Sequence, residues 1–299
     1  MPELPEIEAL AHFLREHAVG RKVERVDVAA LSVVKTFEPP ISALQGRVID
    51  RAGRAGKYLM LDCEGLFLVL HFARAGWLRW SDELSPRPVR PGRGPLALRV
   101  HLGARAADGG AADGGADGTA GFDVTEAGTR KSLAAWVVAD PLDVPGVARI
   151  GPDAAAVGHE ELAEIITDAE GRQVRTVLTD QRALAGVGGA YADEILHRAR
   201  LSPFAPAEGL STQQVAALHA AIGDVLAAAL RECVDADAAR VKSHKRAGLA
   251  VHGRAGEQCP VCGDVIRQVV FEERSLQYCP ACQTGGRVLA DRRLSRLLK

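Results

Sequence analysis

Two C-x-x-C pairs, Cys259/Cys262 and Cys279/Cys282, constrain this 299-residue chain more than any other feature. Each pair puts two sulfurs on one tight turn, and two such turns close a tetrahedron of thiolates around one ion. The stretch between them, IRQVVFEERSLQYC, reads as a β-hairpin. The C-terminal region is therefore expected to be a zinc ribbon with one structural Zn2+ per chain and no coordination position open for chemistry. A redox C-x-x-C occurring twice is the competing reading, and redox motifs usually come singly beside a βαβ pattern. Cys63, in a strand-like run, and Cys233, in a helical one, are expected in the core.

Upstream, the periodicity divides the chain again. From Glu3 to His17 the apolar positions Ile7, Leu10, Ala11 and Leu14 have helical spacing, and Gly20 is the expected C′ residue. Short β-rich runs follow, among them KVERVDVAAL, KYLMLDC, LFLVLHF, LALRVHL and AAWVVAD, with turn residues between them. That pattern predicts a sandwich or barrel. The Gly/Ala/Asp-rich 104–121 stretch reads as a surface loop between two of the strands. Near Pro152 the period becomes helical and stays so to Leu230, with a capping box expected from Ser211 and Gln214. Gly186, Gly188 and Gly189 precede a helix beginning near Ala190. Such a turn either offers N–H groups to a phosphate or simply joins two helices. The expected fold is multidomain α and β: a β-sandwich with a leading α-helix in 1–150, an α-helical domain in 151–246, and a zinc ribbon with a basic tail in 247–299.

Charge bears on the partner. The net charge is -1, which argues against nucleic acid. Its distribution argues for it: Lys242 to Lys299 holds eleven Lys/Arg against five Asp/Glu, and a local basic face matters more than the total. No apolar run is read as a membrane span, and the N-terminus lacks the pattern of a signal peptide. A cytoplasmic, monomeric protein with no membrane partner is expected.

The N-terminal MPELPEIE, the strand start GKYLMLD, the turn GVGGAYADEIL and the C-terminal VHGRAGEQCPVCG…RSLQYCPACQ occur in one order along the chain. Together they resemble the formamidopyrimidine-DNA glycosylase and endonuclease VIII family. The resemblance implies a β-sandwich, a helix–two-turns–helix domain and a zinc ribbon, with damaged DNA as partner. It also implies base excision with AP-lyase activity, in which Pro2, freed by removal of Met1, is the nucleophile. A terminal amine has a pKa near ~8 and is partly unprotonated at neutral pH. Attack on C1′ would expel the base and leave an iminium, an electron sink that permits elimination of the 3′ phosphate.

By the same resemblance Glu3 is the catalytic acid and Glu6 a second acid on the same helical turn that holds the site. Glu8 is read as ordinary complementarity to the helix dipole. Lys57, counted with the catalytic residues, and His71 are expected at DNA phosphates, as is Tyr191 on the helix after the glycine turn, where Glu194 is also read as a DNA-binding position. Arg274 on the ribbon hairpin is expected to grip the phosphates beside an everted nucleotide. Cys259, Cys262, Cys279 and Cys282 are the implied zinc ligands.

Several positions depart from the family pattern. The asparagine of its GVGN turn is Gly189 here. The methionine of its H-x-G-M-S-G motif is Arg74, and its R-R-F-G-A-W stretch is KSLAAW, which puts Lys131, Ser132 and Leu133 at two arginines and an aromatic wedge. Arg130 is the neighbouring basic residue available as a substitute. A weaker wedge disfavours eversion of a stacked base. Abasic sites and lesions in single strands or mismatches are therefore expected to be better substrates than 8-oxoguanine paired with cytosine. The alternatives are a family member acting mainly as a lyase, a non-catalytic lesion or junction binder, and a zinc-ribbon regulator with a small-molecule β-domain. The last leaves MPELPE without a purpose.

Overall fold

The structure is a computed structural model that describes residues 1–92, 94–105, 119–128, 131–234, 248–271 and 274–289, without the side chains of Thr119 and Arg274. The chain divides into two compact units, Met1–Arg149 with Cys233–Lys242, and Ile150–Glu232 with Ser243–Lys299. Arg130, most of the 104–121 loop and the basic tail from 290 lie outside the described residues.

The first unit opens with helix α1 (Leu4–His17), whose N-cap is Glu3 and whose first turn holds Pro5, where a missing N–H costs nothing. Ile7, Leu10, Ala11 and Leu14 bury one face of it. The C-cap is Ala18, so Gly20, at φ 83, lies one position beyond the expected C′. Strands β1 (Arg21–Val28), β2 (Arg51–Ala55), β3 (Tyr58–Cys63), β4 (Leu66–His71), β5 (Gly76–Leu84), β6 (Leu96–Arg105), β7 (Thr119–Glu126) and β8 (Ala134–Val138) follow. They form two antiparallel sheets, ordered β1-β6-β7-β5 and β2-β3-β4-β8.

The period of two explains how the sheets stack. Leu59, Leu61, Leu68 and Leu70 point into a core shared with Leu98, Val100, Phe122 and Val124 of the other sheet and with α1. Tyr58, Met60 and Val69 point the other way, against Val144 and Val147. A slip of one residue in β3 or β4 would exchange these two sets, so the register is strongly specified. Truncating Leu70 to alanine would cost about 2–5 kcal/mol.

The second unit holds α2 (His159–Thr167), α3 (Val174–Thr179), α4 (Gly189–Arg198) and α5 (Thr212–Val234), then the hairpin β9 (Arg267–Phe271) and β10 (Arg274–Tyr278), and α6 (Pro280–Thr284). The expected capping box forms before α5: Ser211 N–H donates to Gln214 Oε1 at 2.9 Å and Gln214 N–H to Ser211 Oγ at 3.3 Å. Val215, Leu218, Ile222 and Leu226 bury one face of α5. Against the sequence expectation, α5 is long and apolar enough by length and composition to cross a membrane, with a mean hydropathy of 1.3 in its most apolar window. Its many alanines raise the average without forming an unbroken apolar run.

Candidate active site and metal centre

The β2–β3 turn, the end of β4 and the start of β8 share one end of a sheet, because Tyr58 pairs with His71 and His71 with Ala134. Helix α1 lies along β2 with its N-terminus toward that end. Glu8 accepts from Arg54 Nε at 2.8 Å, while Arg15, further along the helix, donates to the Ala52 carbonyl at 3.3 Å. Glu8 also accepts from Arg15 Nη2 at 2.9 Å, so it ties helix to strand and does more than complement a dipole.

Glu3 and Glu6 are both buried. The Glu3 N–H donates to Glu6 Oε2 at 2.6 Å as one half of a capping box, which fixes the backbone immediately after Pro2. Pro2 is buried, whereas Met1 is 48% exposed. Lys57, in the β2–β3 turn, is buried too. Burial first, and then the Lys57 charge, hold His71 below the ordinary imidazole range. The His71 ring lies against Tyr58 with centroids 4.8 Å apart. An ammonium and a neutral imidazole thus stand beside the start of α1, a pairing suited to an anion.

Arg74 is exposed in the turn between β4 and β5, which Gly76 N–H closes on the Phe72 carbonyl at 2.8 Å. A Cβ on Gly76 would lie 2.3 Å from that carbonyl and 2.9 Å from Leu133 Cδ1, so only glycine fits. Leu133 is 2% exposed and belongs to the main core. Its N–H and that of Ser132 donate to the buried Glu126 carboxylate at 3.1 and 2.8 Å.

In the second unit, Gly188 is the N-cap of α4 and Gly186 takes φ 103. A Cβ on Gly189 would stand 3.3 Å from Arg175 Nη2. Arg175, on α3, donates from Nε to Asp193 at 2.8 Å. The Asp193 carboxylate is fully buried; it also lies 2.7 Å from His252 Nδ1 and accepts the Gln277 N–H at 3.1 Å. Next to it, Glu194 accepts the N–H groups of Ala250, Val251 and His252 at 2.8, 2.9 and 2.8 Å. Burial raises the Glu194 carboxyl above its ordinary range, although those three donors pull it down. Two adjacent acids on α4 therefore hold the 250–252 segment and β10.

The four cysteine sulfurs of the ribbon converge, with Cys259 and Cys282 3.9 Å apart and Cys262 and Cys279 3.4 Å apart. Burial first, then neighbouring sulfurs, push the Cys279 thiol up to about 11 and raise that of Cys282, while a hydrogen bond from the Asp264 backbone draws Cys262 down. Crowded thiols that oppose one another's ionisation are what a bound cation stabilises as thiolates. His197, buried on α4, brings Nε2 to 3.3 Å from Cys259 Sγ.

Sequence comparison places these parts in a known frame. Residues 1–108 match the formamidopyrimidine-DNA glycosylase N-terminal domain, 150–242 its H2TH domain, and 256–285 the zinc finger found in FPG and IleRS. A Geobacter sulfurreducens formamidopyrimidine-DNA glycosylase is 33% identical over 95% of this chain and its own full length. The chain belongs to the formamidopyrimidine-DNA glycosylase family. An uncharacterized formamidopyrimidine-DNA glycosylase-like protein of Mycobacterium tuberculosis is 54% identical over 50% of this chain and 94% of its own. The fold is that of Lactococcus lactis formamidopyrimidine-DNA glycosylase non-covalently bound to DNA containing an AP site, with a TM-score of 0.76 and 24% identity over 94% of this chain and 99% of that one. A MutM structure with DNA containing carbocyclic 8-oxo-G gives a TM-score of 0.77 at 24% identity, covering 95% of this chain and all of that one.

Within the glycosylase frame the residues read from motif position take these places. Glu194 accepts three backbone N–H groups and anchors the chain. Tyr191 is 2% exposed and packs as a core side chain. Glu6 is buried and holds the Glu3 backbone. Leu133 packs inside, in the main core. Pro2, Glu3, Lys57 and His71 gather at one sheet end, with Arg74 exposed in the following turn. Arg274 begins β10, and its side chain, like Arg130, lies outside the described residues. Sequence reasoning missed Arg175, Asp193, Glu126 and His197. The zinc finger match and the converging sulfurs fit one structural ion on Cys259, Cys262, Cys279 and Cys282.

Proposed function

We propose that this family member is a DNA glycosylase with AP-lyase activity, using Pro2 as its nucleophile once Met1 is removed. The observation that carries the reading is the capping box at Glu3. It fixes the backbone next to Pro2 on a buried helix, which gives a reacting nitrogen a rigid support. The Pro2 nitrogen attacks C1′ as the glycosidic bond breaks and the base leaves; the nitrogen gives up its proton, Glu3 protonates the ring oxygen, and the C1′–O4′ bond opens to leave an iminium. The resulting iminium draws electrons from the C2′–H bond; the proton leaves and the 3′ C–O bond breaks. Water then hydrolyses the iminium and frees the amine.

Lys57 and neutral His71 hold the phosphate beside the reacting nucleotide. In the second unit Arg175 supplies the donor that the family's asparagine would give at Gly189, since its Nη2 stands 3.3 Å from the point where that side chain would begin. One structural zinc on the four cysteines keeps the Arg274 hairpin in place. Damaged DNA is the ligand, as for the relatives crystallised with it.

The buried Leu133 favours lesions that need little unstacking. Stacking on an aromatic is worth ~1–3 kcal/mol per base, and among the described residues the wedge positions expose Arg74, Lys131 and Ser132, none of them aromatic. Borohydride trapping on abasic, single-stranded, mismatched and 8-oxoguanine–cytosine substrates at one salt concentration tests both parts. Trapping through a blocked N-terminus would refute the Pro2 mechanism; fastest excision of 8-oxoguanine opposite cytosine would refute the substrate order.

A further inference from the structure

The ribbon offers five donors for four coordination positions. His197 Nε2 and the sulfurs of Cys259, Cys279 and Cys282 all lie within 4.8 Å of one another. Cys262 stands outside that group, although its thiol interacts with the same three sulfurs and lies 3.4 Å from Cys279. The three sulfurs form a triangular face common to two sets of four donors, one completed by Cys262 and the other by His197.

We propose that His197 is a reserve zinc ligand: when Cys262 is lost, Cys259, Cys279, Cys282 and His197 Nε2 would hold the ion. With all four cysteines bound, the same nitrogen donates its N–H to the Cys259 thiolate. In the reserve state the Nε2 lone pair binds the metal, and the ring proton resides on Nδ1. Cys3His is an ordinary composition for a structural zinc site, so the exchange changes one donor and preserves the geometry. The arrangement suits its surroundings. Cys262 is the exposed cysteine of the set, the one that solvent oxidants reach first, whereas His197 is buried on a rigid helix.

The test uses the full chain. Zinc content and affinity are measured for C262A, C279A, H197F and C262A/H197F, and X-ray absorption defines the ligand set of zinc-loaded C262A. C262A is expected to keep one zinc per chain at an affinity about 10–100-fold below the native protein, with three sulfurs and one imidazole nitrogen around the metal. C279A, which removes a corner of the face, and the double variant are expected to lose zinc. H197F alone keeps the four-sulfur site. Loss of zinc from C262A as complete as from C279A overturns the proposal. So does a C262A spectrum with oxygen in place of imidazole, a result that holds even if H197F disturbs α4.

Discussion

At the start of α1 the scaffolding is local. Glu3 is held by Glu6 three residues away, and Lys57 and His71 meet across a single pair of strands. Around α4 the opposite holds: Asp193 joins groups 18, 59 and 84 positions distant, and Glu194 reaches residues 56 to 58 positions on. A locally built site can be altered one residue at a time. The α4 junction is one cooperative piece, in which the glycine turn, the 250–252 segment and the ribbon hairpin depend on the same two carboxylates.

The sharpest challenge to that contrast is removal of the metal. Structural zinc contributes on the order of 10 kcal/mol to small domains that fold around it. Chelation should raise amide exchange at Ala250, Val251 and Gln277 and leave the β3 and β4 amides protected. Equal loosening of both regions would break the comparison.

Next in size is a blocked N-terminus. Retaining Met1 should lower borohydride trapping by at least about 10^3-fold, as expected for loss of a covalent nucleophile, with an unchanged melting curve. Glu3→Gln should slow base release by about 10^2–10^4-fold. A large fall in stability from the retained methionine would show that the first site is less local than described.

Asp193→Ala should cost about 3–5 kcal/mol in denaturant unfolding, because it leaves the partly buried Arg175 without its carboxylate and removes the partner of His252 and of the buried Gln277 N–H. The loss should be non-additive with Glu194→Gln, since both anchor one segment. Additive losses would mean that the junction is two independent contacts.

The smallest effect is a pH slope in the first unit. His71 titrates below 6.5 in the folded chain and near 6.5 when unfolded, so the unfolded state binds the proton first. Stability should therefore fall as pH drops from about 6.5 toward the folded value. His71→Gln should flatten that slope, and an unchanged slope would show that burial of His71 is not its source.

Much of the local architecture was legible beforehand. The helical spacing from Ile7 to Leu14, the short β-rich runs of β3 and β4, the Ser211–Gln214 box and the paired cysteines are short-range patterns, and each appears in the fold. The inward placement of Glu194, Tyr191 and Leu133 was not legible for one reason: a motif fixes which residue stands at a position, not which way its side chain points. Asp193, Glu126 and His197 escaped notice because their partners lie far along the chain and no periodicity joins them. Arg175 escaped because its role depends on a side chain missing at Gly189.

The three N–H groups that converge on Glu194 have a consequence of their own. Successive amides aimed at one point form a concave nest of the kind that captures phosphate or sulfate. Here the nest is filled from within, by a carboxylate of the same chain acting as a tethered counter-ion. A protein that must attract polyanions has thereby closed one trap for stray ones. Glu194→Ala would reopen it, and inorganic phosphate should then raise the melting temperature of that variant more than that of the native chain.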